Sequence, residues 1–160
     1  MTADEFTNEV KRIRQQLKGI AERYLGNAEE AEDLVQDVLL KLWQIRGELR
    51  LPLYGFASAF VRNRSIDALR KRKPTIDLDE KLADADETTD DRLEEVMKIV
   101  RTFPTMQQMV IELRHVQGME MKEIADITGT SEAAVRQTLS RVRQAIRRRF
   151  LETQQGSKVE

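Results

Sequence analysis

Apolar residues recur at three- and four-residue intervals along almost the whole of this 160-residue chain. No segment shows the strict two-residue alternation of a half-buried strand. That rhythm restricts the fold to the all-α class, and its interruptions mark off the helices. Phe6, Val10, Ile13, Leu17 and Ile20 or Ala21 share one face of a first helix over about 4–24, which "LGN" breaks. Asn27 then suits an N-cap, and Glu30 three residues on makes a capping-box pattern. The second helix runs to about residue 45. Gly47 and Pro52 punctuate the loop "RGELRLP". A third helix starts near Leu53 and runs into "RNRSIDALRKRK", whose basic last turn complements the helix dipole.

Pro74 closes that helix, and the composition changes. Residues 1–73 carry 14 Lys+Arg against 11 Asp+Glu, residues 74–95 carry 2 against 10, and residues 96–160 carry 11 against 7. The formal net charge of -1 therefore hides two basic blocks around an acidic segment. Charge asymmetry of this kind accompanies nucleic-acid binding. The stretch "PTIDLDEKLADADETTD" is poor in large apolar groups and reads as a linker. Its plain reading is a solvated tether. A second is that the acidic segment lies against the basic faces of the free protein and weakens stray DNA binding. The chain thus divides into a domain over 1–73, a linker over 74–90, a second domain over 91–151 and a frayed tail over 152–160.

In the second domain, Leu93, Val96, Met97 and Val100 form one stripe. Pro104 opens a helix with Met106, Met109, Val110 and Leu113, ending near Gly118. "MKEIADIT", "GTS" and "EAAVRQTLSRVRQAIRRRF" follow as helix, three-residue turn and helix. Gly129 suits the left-handed position after a helix end, and Ser131 can cap the next helix. Ile124, Ala125 and Ile127 can pack on Val135, Leu139, Val142 and Ile146, which makes a helix-turn-helix. At 100° per residue, Ala133, Gln137, Ser140 and Gln144 lie opposite that apolar stripe, flanked by arginines. A small polar centre with arginine edges fits a major groove. Groove reading falls to the N-terminal turns: Glu132, Ala133, Arg136, Gln137, Ser140 and Arg141. Arg143, Arg147, Arg148 and Arg149 face phosphates. The plainer alternative is a solvated helix with a basic tail.

The second helix has a core stripe of Ala31, Leu34, Val35, Val38, Leu42 and Ile45. Its opposite face carries Glu29, Asp33, Gln36, Leu40 and the sole tryptophan, Trp43. An aromatic anchor among polar contacts is what a partner helix takes. Packing of Trp43 on the first or third helix is the competing account.

Cysteine is absent, which excludes disulfides, thiolate metal sites and cysteine nucleophiles. No phosphate loop, metal-ligand cluster or nucleophile constellation occurs, so neither cofactor nor catalysis is expected. His115, the only histidine, sits beside Arg114 in a helix, where packing or a surface role is its ordinary use. The N-terminus has no apolar run behind a basic start, and no apolar stretch approaches the ~20 residues of a membrane span. A cytoplasmic protein without membrane insertion is expected.

With both halves in view the chain resembles a bacterial sigma factor of the extracytoplasmic-function (ECF) group, the small sigma factors with two conserved domains. "AEDLVQDVLLKLW" is similar to the segment that grips the clamp helices of the polymerase's largest subunit. "FASAFVRNRSIDALRKRK" is similar to the segment that melts and reads the minus-ten element. "FPTMQQMVIELRHVQGMEMKEIADITGTSEAAVRQTLSRVRQAI" is similar to the minus-35-reading domain, which also meets the polymerase flap. The resemblance implies core-polymerase contacts by Asp33 and Gln36, with Leu40 and Trp43 extending the face. It implies minus-ten contacts by Arg62, Asn63 and Arg70, by Phe56 where the family usually has tryptophan, and by Arg50 and Tyr54 in the loop holding a flipped base. Asp67 also matches, although a structural pairing with Arg64 or Arg70 suits it better. It implies minus-35 contacts by Glu132, Ala133, Arg136, Gln137, Ser140, Arg141 and Arg143. Promoter DNA and core RNA polymerase are the implied partners of a free monomer, and an anti-sigma factor is common in the family. Thr138 replaces an arginine common in the family's recognition helix, and "TFPTMQQM" is a loose version of its "LPERQR".

Three rivals remain. A stand-alone helix-turn-helix regulator would bind operators unaided, usually as a dimer, but no ligand domain or dimer seam is visible. An enzyme lacks a constellation. A helical adaptor binding only protein leaves the arginine-edged helix without purpose.

Overall fold

The computed structural model describes residues 1–72, 92 and 94–159, with side chains described as far as Glu152. The acidic linker lies outside the described residues, and so does any contact it makes. All regular structure among the described residues is helical.

Helix α1 spans Ala3–Leu25 and α2 spans Ala28–Gln44. Asn27 caps α2 as its sequence suggested, its Oδ1 accepting from the amides of Glu29 at 2.9 Å and Glu30 at 3.1 Å. The reciprocal capping box belongs instead to α1. There Thr2 Oγ1 accepts from the Glu5 amide at 3.1 Å, and Glu5 Oε2 accepts from the Thr2 amide at 3.2 Å. Gly26, at φ 69°, turns the chain between the two helices.

A short 3-10 turn, Arg46–Glu48, leads to α3, Tyr54–Arg72. Six consecutive residues from Phe56 to Val61 are buried, so α3 is covered on more than one side. Leu17, Leu42, Leu53 and Phe60 are fully enclosed where α1, α2 and α3 meet.

Helix α4 covers residues 94–101. Gln108 Nε2 donates to the carbonyl of Phe103 at 2.6 Å and closes the turn before α5, Thr105–Gln117. Then come α6, Met121–Thr128, and α7, Glu132–Val159. Met109, Leu113, Ile124, Val135 and Leu139 are the enclosed core here. Gly129 takes φ 71°, and Ser131 Oγ accepts from the Ala134 amide at 3.1 Å. Both turn signals of the helix-turn-helix therefore act as expected. The backbone of α7 stays helical through Val159, past the boundary at 151. Once a helix is nucleated, each further residue adds a hydrogen bond at small cost.

The apolar interiors of the two halves run together, with α3 packed against α5. No helix among the described residues is long and apolar enough to cross a membrane.

Candidate nucleic-acid interface

Burial of Val135, Leu139 and Val142 against α6 turns the opposite face of α7 to solvent. Ala133, Arg136, Gln137, Ser140, Arg141 and Arg143 are all exposed, and Glu132 is half-buried. Arg136 reaches back one turn to Glu132, Nη2 to Oε2 3.4 Å. That pair sits at the helix start, where the dipole favours the carboxylate. Gln144, Arg147, Arg148 and Arg149 extend the exposed basic edge. Arg149 Nε lies 3.7 Å from Glu95 of α4, which ties the far end of α7 to the rest of its domain. His115, on α5, has its imidazole pKa lowered by burial and by nearby Arg143 and Arg114. It is neutral at neutral pH and adds no charge here.

The expected minus-ten residues are divided. Arg62 and Arg70 project from α3 into solvent, and Arg50 is exposed in the preceding loop. Tyr54, at the first turn of α3, is 38 % exposed. Phe56 is only 3 % exposed and stacks on Phe60, ring centroids 6.1 Å apart. It is a core side chain in this conformation. Asn63 is 1 % exposed, beneath α5. Arg64 does not pair with Asp67; its Nη2 lies 3.6 Å from Glu112 of α5.

On α2, Asp33 and Gln36 are exposed, Leu40 is 59 % exposed and Trp43 36 %. Trp43 packs on the first helix, as the competing account has it, and stays partly exposed. Its ring meets Phe6 of α1 edge-on at 5.5 Å, and Arg46 covers it with a guanidinium 3.8 Å from the ring centroid. One edge is core and one face is surface. Glu32 fixes this face to α1, accepting from Arg14 Nη2 at 2.7 Å and lying 3.2 Å from Lys18 Nζ. Those two cations, Arg14 first, hold its carboxyl below the usual range. A cleft of about 690 Å³ runs beside the same face between α2 and α3, lined by Asp33, Asp37, Leu40, Lys41 and Asp67.

Residues that the helical rhythm left unmarked therefore support the surfaces: Glu32 and Arg46 around Trp43, and Glu112 and Gln117 against α3. Arg46 stands three positions after Trp43, a spacing at which helical side chains meet. Nothing local marks Gln117.

The Sigma-70 region 2 model matches residues 10–75, and the Sigma-70, region 4 model matches residues 93–146. The ECF RNA polymerase sigma factor SigJ of Mycobacterium tuberculosis is 29% identical over 154 residues, covering 87% of this chain and 49% of that protein. The ECF RNA polymerase sigma factor SigW of Bacillus subtilis is 25% identical over 171 residues, covering 92% of this chain and 89% of that protein. The chain thus spans about half the length of the first relative and most of the second. The sigma factor RpoE of Bartonella quintana, solved in complex with the anti-sigma factor NepR, is 20% identical, with a TM-score of 0.41 over 91% of this chain and 96% of that one.

Proposed function

This chain belongs to the sigma-70 family as an ECF sigma factor, and on that premise we propose that it binds core RNA polymerase and directs it to promoters. The observation that carries the reading is the coexistence, on one chain, of an exposed leucine-tryptophan face on α2 and an arginine-edged recognition helix. One takes a protein partner and the other takes DNA.

Leu40 and Trp43 supply the apolar anchor for the clamp helices of the largest subunit. Asp33 and Gln36 supply the polar contacts around it. The helix-turn-helix domain meets the flap and lays α7 in the major groove of the minus-35 element. Glu132, Ala133, Arg136, Gln137, Ser140 and Arg141 face base edges there. Arg143, with the arginines that follow, neutralises phosphates.

At the minus-ten element Arg62, Asn63 and Arg70 hold the strand, with Arg50 above it. Extracting a base costs a few kcal/mol. Stacking on an aromatic ring returns about 1–3 kcal/mol per base, and Tyr54 is the exposed ring at this edge. Phe56 supports α3 from within. The protein performs no covalent chemistry, needs no cofactor and works in the cytoplasm. It is a monomer when free, and an anti-sigma factor is a further partner of the kind that the family takes.

Binding to purified core polymerase tests the reading. Asp33→Ala with Gln36→Ala, and separately Leu40→Asp, each weaken binding more than tenfold, on the order of the 2 kcal/mol of an interface hot spot. These side chains are exposed, so thermal stability moves by no more than about 0.5 kcal/mol. Unchanged affinity in both variants would remove α2 from the account.

A further inference from the structure

Helix α3 begins without a side-chain cap of its own. The Leu53 carbonyl accepts from the Ala57 amide at 2.9 Å, the first hydrogen bond of the helix, so Leu53 holds the N-cap position. A leucine side chain offers no oxygen to the amides of a first turn. Phe56, three residues on, cannot reach back to the Leu53 amide as the glutamate of a capping box does. That amide is served from another helix. Glu9 of α1, 44 positions earlier, accepts from it with Oε2 at 3.3 Å. The Glu9 side chain is only 16 % exposed, and Arg12 lies 3.6 Å from its other oxygen. Burying a carboxylate is costly unless it is hydrogen-bonded, and a negative charge at a helix start is favoured by the dipole.

What Glu9 holds is one foot of an arch. Leu49 and Leu53 are both buried, and the Leu49 amide donates to the Arg46 carbonyl at 3.2 Å. Between these two anchors Arg50, Leu51 and Pro52 stand out into solvent, and Tyr54 follows on the first turn of α3. The arch thus displays a cation and, one residue beyond its second foot, an aromatic ring. A cation meets phosphate and a ring stacks on a base. Such groups act together only when their support holds them within about 0.5 Å of the working geometry. The first foot is fixed by the 3-10 turn, and the second by a carboxylate from α1.

We infer that Glu9 is a positioning residue for strand capture: by capping α3 from α1 it sets the arch over 50–52 and the Tyr54 ring for the displaced strand of the minus-ten element, without touching DNA itself. The role of the arch rests on the function proposed above, whereas the cap does not. What matters in Glu9 is then the reach of its oxygen to the Leu53 amide, more than its charge or its pairing with Arg12.

Two conservative variants separate reach from charge. Glu9→Gln keeps an accepting oxygen at the same reach and gives up the charge. Glu9→Asp keeps the charge and draws it back by one methylene. The chain has no cysteine, so a single nitroxide placed through Leu51→Cys, an exposed position, reports the arch in the free protein. Its spectrum is expected to become more mobile with Glu9→Asp and to stay as it is with Glu9→Gln. Unlabelled chains are then compared in run-off transcription with purified bacterial core polymerase, on a fragment selected with the wild-type protein from a randomised library. Transcript from Glu9→Asp is expected to fall about tenfold, as misplacement of a positioned group can cause. Transcript from Glu9→Gln stays near the wild-type level, and both variants bind core polymerase as the wild type does. Wild-type transcription by Glu9→Asp, or Glu9→Gln as impaired as Glu9→Asp, would overturn the inference. Core affinity that falls in step with transcription would overturn it too, since Glu9 would then only hold the domain together. A wild-type chain that neither binds core polymerase nor yields transcripts would overturn the proposed function and the capture role with it, while the nitroxide spectra would still decide the cap.

Discussion

Burial holds the Glu112 carboxyl above the usual carboxylate range, although Arg64 and Lys41 pull it down; nearby Asp67 pushes it further up. The same crowding lowers the Lys41 pKa, with burial the main cause and Arg64 the next. The folded chain therefore takes up a proton at Glu112 more readily than the unfolded chain, whose carboxyl titrates near 4.5. Its contribution is most favourable below that value and is lost as pH rises through the raised one. Glu112→Gln, which never ionises, should make the protein more stable at neutral pH despite losing the Arg64 pair. It should also flatten the fall in melting temperature between about pH 4.5 and neutrality. Thermal unfolding of both proteins across that range checks this. A variant less stable than wild type at neutral pH would mean that the ion pair outweighs the burial.

Local chemistry was readable because its signals lie within a few residues of their effects. Asn27 caps α2, Gly118 and Gly129 take positive φ at helix ends, and Ser131 starts α7. The face of α2 that carries Asp33, Gln36 and Leu40 was likewise legible, since helical spacing puts them opposite the core stripe. The burial of Asn63 was not. It depends on Gln117, which lies 54 positions away, and periodicity says that a face is covered without saying by what. The burial of Phe56 was not legible for a similar reason: α3 buries more than one side, so its exposed edge cannot be read from a single stripe. Two predictions belong to the helix-turn-helix. Gly129→Ala forces a side chain into the left-handed region against Arg50. It should lower stability by about 1 kcal/mol, measured by urea unfolding. In α7, Arg148→Ala should weaken duplex binding alike for every sequence and reduce the salt slope by about 1, whereas Arg136→Ala should cost about 1–3 kcal/mol on the preferred site only. Titrations at several salt concentrations separate the two. Equal behaviour of both arginines would place Arg136 on phosphate.

At the scale of the whole molecule, the near-neutral total charge and the basic DNA faces no longer conflict. The arginines are concentrated on α7 and along α3, and the compensating acids lie mainly in the segment that joins the halves. The two halves share one continuous interior in the free protein, yet the task assigned to them needs both faces free and far apart. Under the proposed function, specificity comes from assembly: α2 docks on the polymerase, and DNA is read at two places by one chain. The most direct measurement is run-off transcription with purified bacterial core polymerase on a library of randomised promoter fragments, with and without this protein, with core binding of the protein verified beforehand. The account predicts transcripts that depend on the protein and start downstream of one shared two-element sequence. Specific DNA binding by the protein alone, with no protein-dependent transcript from a polymerase that it binds, would contradict it.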